Sequence, residues 1–298
     1  MTPTFFGEPH QQLFGALHQA RGCKSAANRT VVICPPIGQE YIRTHWCLRL
    51  LARQLARKGI NVLRLDYRGI GDSAGVNEET TSITHWYQDV HTAIDYACEQ
   101  TNCRNVMLVG LRYGGAIASA VAAESSKINS LILWEPVLDA GQYLKSLRTM
   151  HKQMIDLWVS NFKTPNNSDQ EEILGSTFDR NLLVEMESAA VDLDAIDQPQ
   201  FIVDLFEHRN AYTVNEMQRF MPSEDEDSWT NLQLLETSWL RASTARQITL
   251  MADEMFSRLQ EFEQLGAHLN PVTSSASALS TGDAPIATAT PTASPAVS

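Results

Sequence analysis

The chain has 298 residues, 43% of them hydrophobic, which suits one large domain with a full core rather than a small stapled module. Its formal net charge of −12 argues against a general nucleic-acid binder or a protein held on anionic membranes. The five cysteines (Cys23, Cys34, Cys47, Cys98, Cys103) form no C-x-x-C pair, so a zinc ribbon or disulfide framework is not expected, and reduced thiols in a cytoplasmic setting are.

Phe5 to Leu17 mixes apolar and polar residues around Gly7 and Gly15 and reads as a hairpin or a strand with a turn. Thr30 to Cys34 is a buried-strand run, stopped by Pro35-Pro36-Ile37-Gly38. Helical spacing of Trp46, Leu48, Leu51 and Leu55 predicts a helix over Trp46 to Ala56, closed by Gly59. Ile60 to Leu65 is the next strand, and it runs into a loop dense in glycine and aspartate, Asp66 to Gly75. A helix is expected from about Ile83 to Cys98, a strand over Val106 to Val109, and a helix over Gly114 to Glu124. Ile128 to Trp134 is a further strand, ending at Glu135-Pro136. Strand and helix alternate without hairpin signals, the mark of a parallel sheet covered on both faces.

The pattern then changes. Asp139 to Phe162 reads as a long helix with Tyr143, Leu144, Leu147 and Met150 on one face, and Phe178 to Ala190 as a second, with a polar break over Thr164 to Gln170. This insertion, about residues 139–191, resembles a helical lid. Phe201 to Phe206 and Leu232 to Leu235 are the remaining strand candidates, and a terminal helix is expected from about Thr244 to Leu265. The domain is therefore placed at residues 1–268. Residues 269–298, rich in Ala, Ser, Thr and Pro and without aromatics, are expected to be a disordered tail. Met1 to Gly22 holds no apolar core of signal-peptide length, and no run approaches the roughly 18 apolar residues that span a bilayer, so no membrane insertion is expected.

The chemistry centres on Val106-Met107-Leu108-Val109-Gly110-Leu111-Arg112-Tyr113-Gly114-Gly115. An apolar strand ends at a glycine, one residue stands between small neighbours, and a helix begins, which is the layout of a G-x-S-x-G nucleophile elbow. The middle position holds Arg112 where that motif holds serine.

The order of motifs resembles the α/β-hydrolase superfamily. The elbow is Gly110-Leu111-Arg112-Tyr113-Gly114; Pro35 to Tyr41 stands where that family keeps an oxyanion loop; Asp66-Tyr67-Arg68-Gly69-Ile70-Gly71-Asp72-Ser73 is similar to its D-x-R-G-x-G-x-S loop. Trp134-Glu135-Pro136-Val137, followed by Gly141 and Tyr143-Leu144, resembles the serine-aminopeptidase/lysophospholipase-like hydrolases associated with exosortase A systems. The resemblance implies an α/β-hydrolase fold, a mostly parallel sheet with helices on both faces and a small lid. It also implies a serine, acid, histidine order for the catalytic groups. Here the acid position falls at Glu207, and no histidine follows Leu232 to Leu235 except His268 near the tail. Backbone N–H groups of Tyr113 and the Ile37 region would form the oxyanion hole, which does not depend on a serine.

Arginine stays protonated and offers donors only, so Arg112 cannot be the nucleophile. Cys34, Ser73, Ser119 and Ser125 are better read as structural, His45, His85 and His91 as surface or satisfied histidines, and no cluster suggests a metal site or a cofactor. A cation at a helix N-terminus in a crevice calls for an anion. That anion is either a protein carboxylate, with Asp66, Asp72 and Glu135 as candidates, or a ligand carboxylate, phosphate or thioester carbonyl. Three readings follow: a protein without a Ser-His-Asp triad that binds an anionic or carbonyl-bearing small molecule under the lid; an ester, thioester or peptide hydrolase with non-standard catalytic residues; and a non-catalytic interaction protein.

Overall fold

The computed structural model describes residues 1–21, 29–76, 79, 82–158, 169–189, 191–203, 218–220, 248–258 and 260–261. Thr2–Phe6 (β1) and Leu13–His18 (β2) form an antiparallel hairpin. Thr30–Cys34 (β3), Asn61–Leu65 (β4), Val106–Leu111 (β5), Ile128–Trp134 (β6), Gln200–Val203 (β9) and Gln218–Phe220 (β10) pair in parallel. The eight-stranded sheet runs β1-β2-β4-β3-β5-β6-β9-β10, with β5 near its centre. Gly38–Arg57 (α1), Ile83–Thr101 (α2) and Tyr113–Glu124 (α3) are the crossovers between successive parallel strands.

Both faces are covered at the centre of the sheet, where β3 and β5 are buried at odd and even positions alike, as a doubly covered parallel sheet requires. Val31, Ile33, Val62 and Val109 pack with Leu51 and Leu55 of α1 and with Ile248, Met251 and Met255 of a helix over 248–258. Val32, Cys34, Leu63 and Leu108 pack on the opposite face with Trp86, Val90 and Ile94 of α2 and Ile117 and Val121 of α3.

Between β6 and β9 lie Ala140–Trp158 (α4), a hairpin of Gln170–Ile173 (β7) and Ser176–Asp179 (β8), and Arg180–Ser188 (α5). The insertion is thus not purely helical. Leu174 and Gly175 both have positive φ, 51° and 81°, the conformation a two-residue hairpin turn demands, and leucine is a poor sequence signal for it. Asp179 then caps α5, accepting from the N–H groups of Asn181 and Leu182.

The larger correction concerns α1, which starts at Gly38, eight residues before the expected Trp46. Ile37 is its extended N-cap and gives no side-chain cap, so the usual Ser/Thr/Asp signal is missing. Residues 39–41, expected in a loop, are in the first turn of a helix. The expected strand at Leu232 to Leu235, the terminal helix before 248, and the tail from 269 lie outside the described residues. Among the described residues no helix is long and apolar enough to cross a membrane.

Candidate functional site

The elbow is built as its glycines require. Gly110 lies so close to α3 that a Cβ there would stand 2.5 Å from Gly115 Cα. At Gly114 a Cβ would stand 2.3 Å from the carbonyl oxygens of Cys34 and Pro35. Between them Arg112 takes φ 54°, ψ −122°, a conformation that L-residues rarely adopt and that costs about 1–3 kcal/mol. Neighbouring backbone holds it there: Arg112 N donates to Trp134 O at 3.0 Å, and Val137 N donates to Arg112 O at 3.2 Å.

The side chain of Arg112 meets protein anions. Its Nε donates to Glu40 Oε1 at 2.9 Å, and its Nη1 donates to Glu135 O at 3.3 Å and lies 3.9 Å from Glu135 Oε2. The other oxygen of Glu40, Oε2, accepts from Tyr143 Oη at 2.9 Å. The guanidinium also sits over the Tyr143 ring, 5.6 Å from its centroid, and Tyr113 stacks on Tyr143 at 5.9 Å. Burial by itself pushes the Arg112 guanidinium down, but the charge of Glu40, with Tyr143 and Glu135, outweighs it and raises the group further. Burial foremost, then the charge of Glu40, keeps the Tyr143 phenol well above its ordinary range, so it acts as a neutral donor. Glu40 stands in the first turn of α1, where the helix dipole favours a carboxylate.

Of the carboxylates expected beside Arg112, Glu135 stands next to it and the two aspartates do not. Asp66 receives Asp72 N at 3.2 Å and is hydrogen-bonded by Tyr41. Burial pushes its carboxyl up, against those two hydrogen bonds. The loop folds inward on Gly71, where a Cβ would stand 2.1 Å from Asp66 Oδ2, while Asp72 stays exposed. Arg68 anchors the same loop to α2 by a fork onto Asp89 Oδ1, with Nε at 2.9 Å and Nη2 at 2.7 Å. Ile37 and Tyr113 are buried on the two segments that meet at Gly114. Glu207, His208 and His268 lie outside the described residues.

Two other nucleophile candidates, Ser73 and Cys34, are occupied or inert. Ser73 Oγ donates to Asp66 O at 2.6 Å and accepts Phe14 N at 2.8 Å, a loop tie. Burial pushes the Cys34 thiol up to about 12, so it carries no thiolate at neutral pH. Among the described residues no histidine hydrogen-bonds a serine or cysteine of the elbow region, and no group of three His, Cys, Asp or Glu could hold a metal ion. The space left between α1, α4 and the β7–β8 hairpin, lined by Ile37, Glu40, Tyr143, Leu147 and Phe178, is about 10 Å³, room for one water at most.

Sequence reasoning missed Glu40 and the role of Tyr143. A glutamate two residues into a helix that begins at a proline-rich break is the available signal for the first. It becomes visible only once the helix start is known.

No curated protein matches the chain. The solved structure of Est1E from Butyrivibrio proteoclasticus with ferulic acid bound is similar over 67% of this chain and 78% of that one, with 18% identity and a TM-score of 0.50. A second structure of Est1E is similar over 68% and 77%, with 16% identity and a TM-score of 0.50. These likenesses concern the fold, that of an α/β hydrolase. The model of the family "Serine aminopeptidase, S33" matches residues 26–185, over half of the chain, and the protein belongs to that family of α/β-hydrolase-fold proteins.

Proposed function

We propose that this protein is a non-hydrolytic member of its family, acting through binding or interaction rather than through an acyl-enzyme at the elbow. One observation carries the reading: the nucleophile position is filled by Arg112, whose Nε donates inward to Glu40 at 2.9 Å. A reacting carbonyl would need the space that Glu40 and Tyr143 occupy. The anion called for by the elbow cation is thus a protein carboxylate, and a carboxylate or carbonyl ligand would reach Arg112 only by displacing Glu40.

The finer resemblance, to hydrolases associated with exosortase A systems, belongs to the same reading. Two residues of the motif that carries it, Glu135 and Tyr143, are the ones that hold Arg112 and Glu40. That motif serves here as an internal tie between the sheet, α1 and α4.

The test is a fluorophosphonate probe together with a panel of p-nitrophenyl esters and thioesters on the full chain. No labelled serine and no turnover above the uncatalysed rate is the expected result. A serine labelled in proportion to ester turnover would establish a hydrolase and reject the reading.

A further inference from the structure

A second cavity, of about 260 Å³, lies at the other end of the sheet, lined by His18 and Arg21 from the chain leaving β2 and by Trp46, Arg49, Leu50 and Arg53 from α1. His18 pairs with Val62 at the start of β4, whereas Arg112 follows the end of β5, so the two sites are separated by the length of the parallel strands. Backbone holds the frame: Arg21 N donates to Ala56 O at 2.9 Å, tying the chain after β2 to the last turn of α1.

The lining is cationic in a chain whose net charge is −12. Arg49 and Arg53 are four residues apart on α1, a like-charge spacing that destabilises a helix. Among the described residues neither they nor Arg21 form an ion pair with a carboxylate, and no acidic side chain lines the cavity. His18 is 5% exposed, and its Nε2 is buried without a hydrogen-bond partner. On the same face of the sheet, Arg64 of β4 has a buried Nε in the same condition. Burial first, then Arg64, the α-amino group and Arg49, pushes His18 down to about 4, so its ring is neutral at pH 7 and carries one N–H donor. Trp46 and Leu50 supply an aromatic and aliphatic wall.

We infer that this cavity is a binding site for a small phosphoryl anion, held by Arg21, Arg49 and Arg53 at the mouth, with the ring of His18 lining its base. Guanidinium forks match phosphoryl oxygens in pairs, and a dianion relieves the repulsion between Arg49 and Arg53. The volume lies near the lower end of small-molecule sites, which fits a phosphate group with a modest organic part against Trp46.

The experiment is calorimetric titration of the full chain with sodium pyrophosphate at low ionic strength, with a parallel flotation assay on vesicles of phosphatidylglycerol and phosphatidylcholine. Saturable pyrophosphate binding is expected, weakened at least about tenfold in Arg49→Gln/Arg53→Gln, since each lost charge-assisted hydrogen bond is worth that much. Both arginines are exposed, so the double variant should keep the wild-type melting temperature. The His18 imidazole resonances should shift on titration, and Glu40→Gln should bind as wild type does. Vesicle binding without pyrophosphate binding, lost in the double variant, would identify a lipid headgroup as the source of the phosphoryl group. Absence of both kinds of binding, binding indifferent to the two arginines, or His18 resonances that do not move would overturn the inference.

Discussion

Replacing Glu40 by glutamine removes the charge that neutralises Arg112 while keeping the shape of the side chain. The two side chains are 12% and 4% exposed, so the pair is shielded from solvent. At an effective dielectric of about 20, opposite charges about 4 Å apart attract by roughly 4 kcal/mol. Breaking a buried pair by removing one partner costs about 3–5 kcal/mol. Glutamine retains an acceptor for Arg112 Nε, and the Glu135 carboxylate stays 3.9 Å from Nη1, so the loss should fall at the lower end, about 3 kcal/mol. In a domain of this size that lowers the melting temperature by roughly 6–12 °C. Arg112→Met strands Glu40 instead and should lose about 3–5 kcal/mol. The double variant Glu40→Leu/Arg112→Met removes both charges of the pair and should recover part of that loss, because an apolar replacement of a buried pair is often neutral or better, while Glu135 loses its neighbouring cation. Urea unfolding of wild type, both single variants and the double variant gives the coupling directly. A Glu40→Gln variant within about 1 kcal/mol of wild type, or a double variant with the summed loss of the two singles, would refute the reasoning.

Arg112→Ser should not create an esterase: a hydroxyl without a base lacks the roughly 10²–10⁴-fold that general-base help supplies, so p-nitrophenyl butyrate turnover should stay at the wild-type level, and a rise with sensitivity to serine reagents would expose a base. Gly114→Ala should cost at least about 3 kcal/mol by chemical denaturation, since its Cβ would meet two backbone carbonyl oxygens at 2.3 Å and neither can swing away. His18 has its folded value lowered to about 4 from 6.5, so the unfolded chain binds the extra proton. Its contribution to stability is complete above about pH 6.5 and is lost as the pH falls toward 4; the melting temperature of wild type should therefore drop more steeply over that window than that of His18→Gln, and parallel curves would contradict this.

The parallel sheet was legible because its strands are short apolar runs closed by glycine and proline, and β3 and β6 fall where their sequences place them. The elbow was legible for a similar reason: close backbone approach at Gly110 and Gly114 admits only glycine, and that requirement persists whatever residue stands between them. The contents of the site were much less so. Glu135 was within reach of sequence reasoning because it ends the strand beside β5. Glu40 was not, because α1 starts without a side-chain cap and Pro35 to Gly38 reads as a loop that runs on past Tyr41. Asp66 and Asp72 drew attention by their place in a glycine-rich loop, yet inward folding at Gly71 gives Asp66 to Tyr41 and to the backbone of its own loop. Topology fixes which loops are neighbours; which carboxylate turns toward the guanidinium is decided by side-chain directions that no periodicity encodes.

The Glu40–Arg112–Tyr143 cluster also bears on how fast the protein comes apart. Its hydrogen bonds join residues 72 and 103 positions apart in the chain. Contacts of such long range require the intervening loops to close, so they are expected to form late in folding, once β3, β5 and β6 have aligned. Interactions made after the folding barrier leave the refolding rate almost untouched and slow the escape from the native state. The cluster ties the strained elbow backbone to α1 and α4, so Glu40→Gln is expected to unfold faster than wild type while refolding at nearly the same rate.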